Sequence, residues 1–141
     1  MSRRDPDAFI EQFGAVKKRI SALAAQAYAR ADIGTLQGKL IRHLGRTGPL
    51  TQAALARATD TDVPLTGRAI QALLERELVR RARSEEDRRE YALSLTPAGR
   101  RMFERVSKQR DELVARIVGA LDARDLADFE RIAGKILALS G

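Results

Sequence analysis

The sequence predicts a mainly helical α+β fold, in which a helix-turn-helix is followed by a two-stranded hairpin and flanked by long amphipathic helices. Three observations predict it. Apolar residues recur at spacings of three and four at both ends and in the middle of the chain. Between Leu78 and Thr96 that period gives way to alternation. Asp5-Pro6 and Thr96-Pro97 each pair a capping side chain with a proline suited to the first helical position, so each marks a helix start.

From Asp5-Pro6, the stripe Phe9, Phe13, Val16, Ile20, Leu23 and Ala27 predicts a helix to about Arg30, interrupted at Asp32-Ile33-Gly34. Leu36, Leu40, Ile41 and Leu44 predict a second helix, about Leu36 to Leu44, stopped by Gly45 and Thr47-Gly48-Pro49. Thr51 can cap a short helix, Gln52 to Ala58, which breaks at Thr59-Asp60-Thr61-Asp62. The next helix, Val63 to about Arg76, tolerates Pro64 in its first turn and would bury Ala69, Ile70, Leu73 and Leu74. Two short helices with a tight turn and small residues at the crossing form a helix-turn-helix. A strand from Leu78 to about Arg83, a charged turn Ser84-Glu85-Glu86-Asp87-Arg88, and a half-buried return strand through Tyr91, Leu93 and Leu95 make a wing. Thr96-Pro97 then opens a long helix carrying Met102, Phe103, Val106, Leu113, Ile117 and Leu121. Asp122 caps a last helix with Leu126, Phe129, Ile132, Ile136 and Leu139. The expected organisation is one subunit, 1–141, with flanking helices at 5–34 and 97–141 around a winged helix-turn-helix at 35–96.

The composition excludes several functions. Apolar residues make up 44% and charged residues 32% of 141, a globular rather than disordered balance that needs no disulfide or metal. The chain has no cysteine and one histidine, His43, which leaves no thiolate chemistry and too few ligands for a metal site. Glu85-Glu86-Asp87 reads as a solvated turn, because consecutive carboxylates diverge. No acid–base pair, phosphate-cradling glycine loop or partnered nucleophile is present, so neither an enzyme nor a cofactor is expected. No apolar run approaches the ~20 residues of a membrane span, and the polar N-terminus lacks a secretory apolar segment; a cytoplasmic location without membrane contact is expected. Twenty-six basic against nineteen acidic residues leave +7, and twenty-one of the basic residues are Arg, whose planar fork suits phosphates and base edges. A GC-rich codon bias would also enrich Arg, so charge alone does not decide.

Leu78-Val79-Arg80-Arg81, Ser84-Glu85-Glu86-Asp87-Arg88-Arg89 and Leu95-Thr96-Pro97-Ala98-Gly99, in that order and spacing, resemble the strand–wing–helix signature of the MarR family of bacterial transcriptional regulators. Gly48-Pro49-Leu50-Thr51-Gln52 followed by Leu55-Ala56 is similar to the stretch that leads into that family's helix-turn-helix. Two positions depart from the pattern. Glu77 stands where the family usually has the glycine that relieves a left-handed helix exit, and Gly67 interrupts the predicted recognition helix. Gly67 lowers helix propensity there but lets the backbone approach a partner closely.

The resemblance implies a dimeric, sequence-specific DNA-binding regulator, most often a repressor, acting on pseudo-palindromic double-stranded sites. It implies that Arg89 enters the minor groove with Asp87 orienting it; a solvated ion pair is the structural alternative. Arg83 and Arg88 flank it and are expected to touch phosphates, or nothing. Pro64, Leu65, Thr66, Gly67, Arg68 and Gln71 occupy the first two turns of the recognition helix, the half that faces the major groove. Arg68 suits a bidentate guanine contact or a phosphate, and Thr66 and Gln71 can bond bases or phosphates. Thr51 and Gln52, at a helix N-terminus, suit a phosphate, although Thr51 serves equally as a cap. The stripes at both ends need burial that a winged helix cannot supply, so Phe9, Phe13, Val16, Ile20 and Ile136 are expected in a homodimer interface; a monomeric bundle is the alternative. A small phenolic or anionic effector would act between the dimer helices and the winged lobe, with Tyr28, Arg42 and His43 as candidate lining but no pocket assigned. Absent cysteine argues against the family's peroxide-sensing branch, and the lone histidine against its zinc-sensing branch. A winged-helix protein–protein module without sequence-specific DNA binding is the competing function.

Overall fold

The computed structural model describes residues 5–83 and 91–141. In chain order the elements are α1 (Pro6–Arg30), α2 (Thr35–Thr47), β1 (Leu50–Thr51), α3 (Gln52–Ala58), α4 (Val63–Glu75), β2 (Val79–Arg83), β3 (Tyr91–Leu95), α5 (Pro97–Gly119) and α6 (Ala123–Leu137). The chain divides into two compact units, 1–110 and 111–141, with the boundary inside α5.

In the first unit the core gathers around α2. Leu40, Ile41 and Leu44 are buried with Leu55 of α3, Ile70 and Leu73 of α4, Val79 and Leu93 of the sheet, and Met102 and Val106 of α5. Each fully buried aliphatic side chain contributes about 1.5–3 kcal/mol relative to exposure. Helix α2 is longer than its sequence suggests. It passes through Gly45 and stops at Gly48, whose φ of 87° is left-handed. Gly45 is a packing glycine: a Cβ there would overlap the ring of Phe103 from α5.

The sheet has order β1-β3-β2, antiparallel throughout, and its register pairs Val79 with Leu95 and Arg83 with Tyr91. Strand β1 is two residues long and carries no periodicity, so the sequence announces only the cap at Thr51. Pairing of Leu50 with Leu93 and Thr51 with Ala92 ties the start of the helix-turn-helix to the wing. Tyr91, read as part of a half-buried stripe, is exposed, and Leu74 is only half-buried.

Helices α1, α3 and α4 end alike. In each, the N–H groups of the two residues following the last turn bond back to carbonyls: Asp32 to Ala29 and Ile33 to Tyr28, Asp60 to Arg57 and Thr61 to Ala56, Glu77 to Leu74 and Leu78 to Leu73. This pattern needs a left-handed residue, and Asp32, Asp60 and Glu77 fill that position with φ of 61°, 50° and 58°. Asp tolerates the conformation better than Glu, so Glu77 carries the largest backbone cost. At this departure from the family pattern the exit stays left-handed, with Glu77 in the glycine's place.

Immediately after β3, Thr96 binds the exit of α4 to the start of α5. Its N–H donates to the Leu78 carbonyl at 3.1 Å, its hydroxyl donates to the Glu77 carbonyl at 2.6 Å, and the same oxygen accepts from the Gly99 N–H at 3.0 Å. Gly99 lies so close that a Cβ would overlap the Leu78 carbonyl oxygen.

The second unit holds the end of α5 and all of α6. Asp122 and Asp125 form a reciprocal capping box, with bonds of 2.8 and 3.0 Å. No residue of α6 is buried, and Leu126, Phe129, Ile132 and Ile136 are exposed. Leu121 and Leu139, expected on helices, lie beyond the ends of α5 and α6.

Two substitutions at the Thr96 joint are expected to move stability in opposite directions. Gly99→Ala should destabilise by about 1–3 kcal/mol through overpacking. Glu77→Gly should stabilise by about 1 kcal/mol by relieving the left-handed position. Urea unfolding of the two variants checks both signs.

Candidate nucleic-acid interface

Asp62 starts α4: its carboxylate accepts from the Leu65 N–H at 2.7 Å, and Pro64 sits in the first turn without breaking a bond. The helical period then sorts the side chains. Thr66, Ala69, Ile70 and Leu73 face the core, whereas Pro64, Leu65, Arg68 and Gln71 are exposed. The turn before α4 is held by its own hydroxyls: Thr59 donates to the Leu55 carbonyl at 2.8 Å, and Thr61 to the Thr59 carbonyl at 3.0 Å. A fixed turn and a filled inner face hold the outer face of α4 in one orientation.

Thr66 requires a correction. Expected at the interface, it is fully buried, at 0% exposure, and its hydroxyl has no hydrogen-bond partner among the described residues. Position 66 lies close to the middle of the inward stripe, in phase with Ala69, Ile70 and Leu73, so it cannot reach a ligand on the outer face. Gly67 is half-buried and turned toward α3: a Cβ there would come within 3.0 Å of the Gln52 side-chain amide. What closes on this glycine is Gln52 of the same chain.

Thr51 caps α3, accepting from the Ala54 N–H at 3.1 Å, and its hydroxyl proton remains available to donate. Thr51 and Gln52 border a shallow groove of about 300 Å³ that Arg81, Tyr91 and Leu93 complete. On β2, Arg80, Arg81 and Arg83 are all exposed. Arg80 donates to the Ser94 hydroxyl across the strand pair at 3.4 Å, and Arg83 lies over the Tyr91 ring, 5.2 Å from its centre. Tyr91 therefore positions a cation at the base of the wing. Asp87, Arg88 and Arg89, expected at the wing tip, lie outside the described residues.

Tyr28 belongs to the core. Its ring fills the space a Cβ would take at Gly38, and burial pushes the phenol pKa up while Arg42 and Arg110 oppose the shift. His43 is half-buried. Among the described residues no cluster of His, Asp and Glu could hold a metal ion, and no helix is long and apolar enough to cross a membrane. Leu65, whose contact the sequence left unspecified, is 41% exposed on the outer face, and Val63 in the same turn is 55% exposed.

A short helix-turn-helix, a second helix with an arginine-bearing outer face, and a three-stranded sheet with a basic edge strand define a winged helix-turn-helix protein. The sequence model of the MarR family matches residues 31–90, the segment that holds the helix-turn-helix and the wing strand β2. The chain is 28% identical over 109 residues to YhbI of Bacillus subtilis, described as an uncharacterized HTH-type transcriptional regulator, a match covering 77% of this chain and 71% of that one. Staphylococcus aureus MepR in its complex with DNA superposes with a TM-score of 0.79 at 21% identity, covering 96% of this chain and 98% of that one. RV1404 of Mycobacterium tuberculosis superposes with a TM-score of 0.75 at 24% identity, covering 100% and 98%. These solved structures share the winged-helix fold.

The placement of Thr66 has a measurable consequence. Thr66→Val removes a buried, unpartnered hydroxyl and keeps the side-chain shape, so stability should be unchanged or rise by about 1 kcal/mol. A loss of more than about 1 kcal/mol in chemical denaturation would show that the hydroxyl is bonded in solution.

Proposed function

We propose that the chain is a homodimeric, sequence-specific DNA-binding transcription regulator that represses by occupying pseudo-palindromic sites. The observation that carries this reading is the outer face of α4, where Arg68 and Gln71 stand exposed on a helix whose opposite face is locked into the core. Such a helix fits the major groove, with Arg68 bidentate to guanine and Gln71 available to adenine or a phosphate. The basic strand β2 supports backbone contacts by Arg83, and Thr51 and Gln52 lie where a phosphate would meet the start of α3. Arg88 and Arg89, with Asp87 orienting Arg89, complete the reading at the wing through the minor groove.

Dimerisation is supported by apolar surface left uncovered. Phe9, Phe13, Val16 and Ile20 form a stripe along α1 and are 42–54% exposed, and Ile132 and Ile136 of α6 are each 40% exposed. Contiguous Phe and Ile at helical spacing mark an interface rather than a solvated face. A second copy covers them in this reading. A small phenolic or anionic effector then acts by favouring a lobe spacing unfit for DNA, and the match of residues 31–90 to the MarR family model supports that regulation. The same match supports a regulator rather than an enzyme.

DNA binding should weaken steeply with salt, with a log–log slope of at least about −4, since each neutralised phosphate contributes about −0.9. Arg68→Ala should cost about 1–3 kcal/mol at the selected site and relax preference at one or two base pairs per half-site. Fluorescence anisotropy across a salt series measures both, and a flat salt response contradicts the phosphate contacts.

For the dimer, Ile20→Glu combined with Ile136→Glu should yield monomers or insoluble protein. Sedimentation of the unmodified chain as a monomer at concentrations on the order of tens of micromolar would contradict the dimeric architecture.

A further inference from the structure

We infer that Leu65 is a base-specificity residue that reads the 5-methyl group of a thymine lying within one or two base steps of the guanine contacted by Arg68. The inference rests on the DNA-binding reading above and assigns a base to a side chain that reading leaves without a role.

Three observations carry it. First, Leu65, Arg68 and Gln71 follow one another at intervals of three residues, so they form a single oblique row across the exposed side of α4. Each interval advances about 4.5 Å along the helix axis, and base pairs are stacked about 3.4 Å apart, so neighbours in the row meet neighbouring base steps. Second, Leu65 is 41% exposed, and Val63 and Pro64 before it are exposed as well, so the first turn of α4 presents an apolar surface. Exposed apolar residues are ordinary on a surface, but Leu65 stands at the head of a row of hydrogen-bonding side chains. Third, the N-terminus of α4 is already occupied. The Asp62 carboxylate accepts from the Leu65 N–H at 2.7 Å, which neutralises the helix end and repels a phosphate there. The first turn is thus unsuited to the anionic backbone and suited to an uncharged partner. In the major groove, the thymine methyl is the apolar feature that distinguishes one base pair from another.

Binding to the duplex that the protein selects from a randomised library provides the test. Replacing thymine by deoxyuridine removes only the methyl group. At one thymine per half-site, close to the guanine whose preference Arg68→Ala relaxes, deoxyuridine should weaken binding by the unmodified protein about fourfold, the equivalent of one buried methyl group. Leu65→Ala should bind the thymine and deoxyuridine duplexes equally, and Leu65→Met, which keeps an apolar tip, should restore the difference. Both variants alter an exposed position, and their helicity and oligomeric state are compared with the unmodified protein. If no thymine is sensitive to deoxyuridine, or if Leu65→Ala keeps the full penalty, the assignment of Leu65 is overturned while DNA binding stands. If the protein selects no sequence, the DNA-binding reading falls and this inference with it.

Discussion

Two adjacent carbonyl oxygens, those of Glu77 and Leu78, hold the molecule's working parts together. They accept the hydroxyl proton and the N–H of Thr96, and Gly99 is small enough to let the first turn of α5 settle against them. The exit of α4, the end of β3 and the start of α5 thus meet at one threonine. The resemblance of Leu95-Thr96-Pro97-Ala98-Gly99 to a family signature has its physical reason here. Threonine supplies a cap and a cross-link with one oxygen, proline fits a position where no N–H is needed, and glycine permits the approach. Moving this joint would change the angle between α4 and the wing strands.

That joint makes a rigid presentation of α4 affordable at a strained residue. Glu77 is left-handed at φ 58°, which costs a non-glycine residue about 1–2 kcal/mol. The Thr96 hydroxyl bond, the two back-bonds from Glu77 and Leu78, and the burial of Leu73, Leu78 and Val79 offset it. The helix is consequently two-faced in packing. Its inner face is fixed by core contacts, and its outer face is left to Leu65, Arg68 and Gln71. The buried Thr66 hydroxyl is the single polar group on the wrong side of that division.

Much of this was readable from residue order. Cap-and-proline pairs placed the starts of α1 and α5, Thr51 and Asp122 the starts of α3 and α6, and the change of period placed the wing strands. Helix ends were harder, because three of them close on Asp32, Asp60 and Glu77 instead of the glycine that signals such an end. Gly45, conversely, looked like a stop and is a notch for Phe103. Strand β1 is too short to have a period and exists only because β3 offers an edge. Within the interface, residue type suggested that Thr66 bonds DNA, whereas its phase on α4 assigns it to the core. Leu65 is legible as a residue of the groove-facing turns, and its exposure agrees, but residue type alone assigns it no contact.

The claim on which the account turns is that the outer face of α4 lies in the major groove of each half-site. Since the chain has no cysteine, Gln71→Cys provides a unique thiol on that face, to which an iron chelate that cleaves DNA can be attached. The account predicts two symmetric clusters of strand cuts in the selected duplex, centred on major-groove faces about one helical turn apart or a multiple of it. Cuts spread evenly along the duplex, or confined to a minor groove, would contradict it.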